Sequence, residues 1–163
     1  MFLRLDNVYD FMGRHVVCQA DLENGQVAMI KGQAEGQIVQ KSGVDLDGQA
    51  FEVVAPADEL GALYVLIASD NHRYEDAVAY NIGDCPTTKA GELVRAYIVG
   101  QGQTATLEQD VFVSGSSLKV GDYVVADATY KLKKATGSEK VVVGKVVAKV
   151  RLYGKDMIKV MFA

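Results

Sequence analysis

The side chains able to do chemistry are few, and their spacing seldom brings them together. His15 and Cys18 stand three apart in a stretch that reads as a strand, so alternation puts them on opposite faces and they form no local base and nucleophile pair. Asp70 and His72 would share a face if extended, with Glu75 and Asp76 close behind, a grouping able to hold a metal ion or pass a proton. A solvated loop tip explains the same residues, and outweighs the site reading because loops rich in Asp, Asn and His are common. Asp45-Leu-Asp47-Gly48 starts like a calcium loop but lacks the third oxygen ligand before the glycine and the distal Glu, so a turn between strands fits it better. Ser114-Gly-Ser-Ser117 has no helix behind it, as a nucleophile elbow requires. Gly100-x-Gly102 lacks both the third glycine and the helix N-terminus of a phosphate cradle. These patterns nominate no catalytic residue, no cofactor-binding residue and no metal ligand; the expectation is a non-enzyme without cofactors.

A second kind of chemistry, stacking of bases on aromatic side chains in a basic groove, has its palette in the last third of the chain. Lys131, Lys133, Lys134, Lys145, Lys149 and Arg151 lie there with Tyr123, Tyr130 and Tyr153. Against it stand a net charge of −4 and the usual role of strand tyrosines as half-buried packing residues, so no nucleic-acid partner is expected. The charge is uneven. Residues 1–110 carry seven Lys/Arg against seventeen Asp/Glu, and 111–163 carry ten against four, a net of −10 followed by +6. Charged strand faces that block edge-to-edge pairing account for this, and a charged docking face is the alternative. Cys18 and Cys85 are far apart and without a partner motif; they read as reduced, buried thiols, with a disulfide open should they meet. No apolar run is long enough to cross a bilayer, and the first residues lack the pattern of a secretory signal, so a soluble protein made in the cytosol, with no membrane partner, is expected.

The elements that must position these side chains are strands. Val146, Ala148, Val150 and Leu152 alternate with Lys145, Val147, Lys149 and Arg151, giving one apolar face and one largely cationic face. After the turn Tyr153-Gly154-Lys155-Asp156, Ile158, Val160 and Phe162 resume the alternation. Gly121-Asp122 turns into Tyr123-Val-Val-Ala126, and Tyr130-Lys-Leu-Lys133 alternates again before Thr136-Gly-Ser138. Upstream, Arg14 to Ala20 and Gln26 to Ile30 flank Asn24-Gly25, the strongest two-residue hairpin signal in the chain. Residues 31–48 read as a long loop, with room for one short strand at the apolar pair Ile38-Val39. Phe51 to Ala55 is a strand closed by Pro56, Ala57 to Leu60 a single helical turn, and Leu63 to Ala68 a buried central strand. Asn71 to Tyr80 is the best helix candidate. Leu93 to Val99, Thr104 to Leu107 and Val111 to Val113 read as further strands.

Roughly ten strands at about ten-residue spacing predict an all-β fold: a multi-stranded antiparallel sandwich or barrel, a C-terminal β-meander or small barrel, and at most one short helix. The organisation expected is a segment 1–12 that is either an arm or a first strand, a main lobe over 13–110, and the meander over 111–163 packed on it.

Ala20-Asp-Leu-Glu-Asn-Gly-Gln-Val27, Ala90-Gly-Glu-Leu-Val-Arg-Ala-Tyr97, Val120-Gly-Asp-Tyr-Val124, Tyr130-Lys-Leu132 and Val143-Gly-Lys-Val-Val147, in that order, resemble the head decoration, or cement, proteins of tailed bacteriophages. The likeness runs from about residue 16 onward. It implies a structural virion protein, made in the host cytoplasm, that binds the exterior of the mature capsid, bridges subunits of the major capsid protein and stiffens the shell. It also implies self-association, as a homo-oligomer on the capsid surface. Phe2, Leu3, Leu5 and Tyr9 are the expected capsid contacts, because an apolar terminal segment gains roughly 1.5 to 3 kcal/mol per large side chain buried on a neighbour. The same side chains could instead fill the protein's own core. A tail or baseplate component, and a carbohydrate or host-surface binding β-module with tyrosines stacked on sugars, are the alternative functions.

Overall fold

The computed structural model describes residues 3–7, 14–33, 50–68, 90–91, 93–152 and 154–163. Within them the chain forms eleven strands: β1 (Leu3–Asn7), β2 (Arg14–Cys18), β3 (Val27–Gln33), β4 (Phe51–Val54), β5 (Tyr64–Ile67), β6 (Leu93–Ile98), β7 (Thr104–Glu108), β8 (Tyr123–Ala126), β9 (Leu132–Lys134), β10 (Gly144–Leu152) and β11 (Lys155–Phe162). Two 3₁₀ turns, Gln109–Val111 and Gly115–Ser117, are the only helical pieces among the described residues. The fold is all-β, as the alternation predicts.

Five strands close into a barrel in the order β2-β4-β3-β5-β6, with β6 pairing back to β2; the other six form a sheet in the order β1-β7-β11-β10-β8-β9. The two share a wall. Along β5 every side chain is buried: Val65 and Ile67 point into the barrel with Val16, Cys18, Val53 and Val94, while Tyr64 and Leu66 face outward onto Leu107, Val146, Ile158 and Phe162 of the sheet. Strand β3 divides likewise, Ala28 inward and Val27 outward. A strand covered on both sides needs a continuous apolar run, which is why Tyr64-Val-Leu-Ile67 does not alternate.

Several local expectations give way to long-range pairing. The strands on either side of Asn24-Gly25 do not form a hairpin, because β4 lies between them, parallel to β2 and antiparallel to β3. The turn still forms: Gln26 N–H donates to Glu23 O at 3.2 Å, and Gly25 has φ of +88°. In the C-terminal third, β10 pairs with both β8 and β11, so the spatial order departs from a simple meander. Strands β1 and β7 belong to this same sheet, which therefore draws on residues well before 111. Residues 3–7 are a strand paired with β7; residues 1–2 and 8–13 lie outside the described residues.

The face assignment of β10 also changes. A bulge between Val146 and Ala148 shifts the register, so Val146 pairs with the core residue Val160, whereas Ala148 pairs with Lys159 and Val150 with Met157 on the opposite face. The extra residue exchanges the faces beyond it, so the apolar set Ala148, Val150 and Leu152 leaves the core side while Lys149 and Arg151 come round to it near the exposed end of the strand, an exchange no periodicity reveals. Val111 to Val113 is not a strand: it is the end of a 3₁₀ turn and a single bridge from Phe112 to Leu132. Tyr130 lies in a turn rather than in β9, with φ of +62°, its N–H bonded to Asp127 O. Ala57 to Leu60 forms no helical turn. The expected loop over 31–48 begins too early, since residues 31–33 extend β3 through its pairing with β4; the rest of that loop and the helix expected over 71–80 fall outside the described residues.

Candidate functional site

Two loops on the sheet and the barrel are fastened to each other by one carboxylate. Residues 55–63 connect β4 to β5, and residues 135–143 connect β9 to β10. Asp58 of the first accepts from the backbone N–H of Lys140 at 2.9 Å and of Val141 at 3.0 Å in the second. Both loops are pinned elsewhere as well. Tyr64 Oη donates to Ala57 O at 2.7 Å, Ala62 N–H donates to Glu59 O, and Ile30 N–H to Leu63 O. Burial and the nearby Asp58 and Glu59 charges raise the Tyr64 phenol above its ordinary range, so it stays a donor. Across from it, Glu139 accepts from Thr136 N–H and Oγ1 and from Gly137 N–H, and these bonds hold its carboxyl down at about 2.

On this braced base the apolar side chains divide. Ala62 and Val141 pack on the core, whereas Leu60 is 79% exposed, Leu63 55% and Val142 37%. Exposed leucines on loops whose backbone is already hydrogen-bonded present apolar surface without a large ordering cost, which suits contact with another molecule. The expectation that Leu63 is buried with the strand behind it fails, since the strand starts at Tyr64. Sequence reasoning overlooked Leu60, Leu63 and Val142 because they sit inside apolar runs. Nor did Asp58 stand out, its partners being 82 and 83 residues away.

The expected contact residues are placed as follows. Leu3 packs against the core between the two layers, and Leu5 lies opposite Ala105 in β1. Phe2 and Tyr9 are outside the described residues. Of the residues with chemical potential, Cys18 is a free thiol inside the barrel, its pKa pushed up to about 12 by burial, so it is inert at neutral pH. His15 lies in β2 opposite Arg95. Cys85, the Asp45-Leu-Asp47-Gly48 segment and the Asp70, His72, Glu75 and Asp76 group are outside the described residues. Among the described residues no group of three His, Cys, Asp or Glu is arranged to hold a metal ion.

The six cations proposed for a basic groove are each engaged within the fold. Lys131 donates to Asp110 O at 2.9 Å, Lys133 pairs with Asp127 at 3.0 Å, and Lys134 pairs with Asp122 at 2.9 Å. Lys149, turned toward the Ser114 to Leu118 segment by the β10 bulge, donates to Ser116 O and Leu118 O, and Arg151 to Gly154 O. Lys145 stands 5.3 Å from the centre of the Tyr123 ring. Of the three tyrosines proposed for stacking, Tyr130 packs against the barrel core, Tyr123 is exposed on the sheet, and Tyr153 is outside the described residues. The aspartates opposite these lysines are in turn tied to turns: Asp122 accepts from Lys119 N–H and Asp127 from Thr129, and both carboxyls are lowered by their hydrogen bonds. Charge in this region fastens turns and strand ends.

The arrangement defines an all-β protein in which a closed barrel and an open sheet share a core and brace apolar loop tips. The chain matches no protein-family model and no curated protein. No helix among the described residues is long and apolar enough to cross a membrane.

Proposed function

We propose that this chain is a non-enzymatic virion protein that binds the exterior of a phage capsid and stabilises the shell by bridging subunits of the major capsid protein. The observation that carries the reading beyond the sequence resemblance is the pair of loops clasped by Asp58, which holds Leu60 and Leu63 outward on a hydrogen-bonded frame. The phrases behind the resemblance fit the β-rich fold that it implies: Gly91, Gly121 and the Asn24-Gly25 turn each precede a strand of the two layers. Binding of this sort adds interface area and favours whichever shell state the protein prefers, by mass action. Contact runs through Leu60 and Leu63, with the N-terminal residues Phe2, Leu3, Leu5 and Tyr9 as the other candidates. Leu3 already has core neighbours, which favours the loops.

The test is co-sedimentation of the purified protein with empty, expanded shells that lack it, followed by heating or a low-salt challenge. Saturable binding at a fixed ratio to the capsid subunit, with shells that survive harsher conditions, is the expected result. Failure to bind any shell state would overturn the capsid assignment and move the protein toward the tail or baseplate. A second reading, a carbohydrate-binding module at the host surface, is favoured by Tyr123, 54% exposed on the sheet. Saturable binding on a glycan panel, lost in Tyr123→Ala, would select it.

A further inference from the structure

We draw no further inference here: the strongest candidate, the row of Tyr123, Lys145 and Met161 paired across the outer face of the six-stranded sheet, is an unpartnered face, and nothing in the structure shows what covers it.

Discussion

Two glycine turns begin with similar local chemistry and end differently. At Tyr153-Gly154 the glycine has φ of +78°, and the flanking strands β10 and β11 pair with each other from Leu152 and Lys155 through Gly144 and Phe162. At Asn24-Gly25 the glycine has φ of +88°, yet the strands it joins are separated by β4. The second turn is instead buried: Gly25 N–H donates to Ile67 O at 2.8 Å, Ile67 N–H returns a bond to Gln26 O at 2.9 Å, and Asn24 is almost wholly covered. A positive-φ glycine thus sets where a chain reverses. Whether the reversal becomes a hairpin depends on which strands offer the larger pairing and burial, a contest settled at long range.

The sharpest way to break the comparison is to add one methyl group to each glycine. At Gly25 a Cβ would meet Val111 Cγ2 at 3.0 Å as well as adopt a left-handed backbone. The sum of strain and overpacking predicts a loss of about 2 to 4 kcal/mol for Gly25→Ala in urea unfolding. Val111→Ala should relieve the steric part, so a double-mutant cycle should give a favourable coupling of about 1 kcal/mol. Independent, additive effects would show that the turn is not packed against that side chain. At Gly154 a Cβ would meet nothing within 4 Å, leaving only the conformational penalty. Gly154→Ala should therefore lose about 1 to 2 kcal/mol, less than its counterpart. Equal losses at the two sites would remove the distinction between them.

Asp58→Ala tests the bond between the loops at a smaller scale. It leaves the Lys140 and Val141 amides without their carboxylate and should lower stability by about 1 kcal/mol, with faster hydrogen exchange confined to those amides and their neighbours. Acid titration probes the adjacent turn. The folded-state pKa of Glu139 is depressed to about 2 from 4.5, so its contribution is fully present above about 4.5 and is lost as the pH falls toward 2. Asp122 and Asp127 shift the same way and add to the same acid limb. In Glu139→Gln the fall in stability between pH 4.5 and 2 should be shallower than in the parent; an unchanged slope would show that the carboxylate does not hold the turn in solution. The smallest effect on the fold is expected for Leu60→Ser, within about 0.5 kcal/mol. The same variant should lose shell binding in co-sedimentation, and full binding would release the 55–63 loop from the contact.

Much of the site's support was invisible to sequence reading for the same reason that the two turns differ. The exposed Leu60 and Leu63 belong to the run that continues into β5, and only pairing with β3 and β6 fixes where the buried part begins. Lysines 131, 133 and 134 resembled a cationic surface because their partners, a carbonyl and two aspartates, become neighbours only when the turns around Asp110, Asp122 and Asp127 fold. Cys18 was legible as a buried thiol, since a cysteine without a partner motif behaves as a small apolar side chain.

By itself the sequence determined the all-β class, the central position of Tyr64 to Ile67, the β10–β11 hairpin and the reversals at Gly25, Gly121 and Gly154. Each of these rests on neighbouring residues: alternation follows from the two-residue repeat of an extended backbone, and positive φ from the absence of a Cβ. Tertiary structure alone decided that β4 separates β2 from β3, that β1 and β7 complete the C-terminal sheet, and that the bulge after Val146 exchanges the faces of β10. Strand partners are chosen by the apolar area and backbone bonds available across the whole chain. A single shifted residue then reverses every side chain beyond it, and the local pattern looks the same either way.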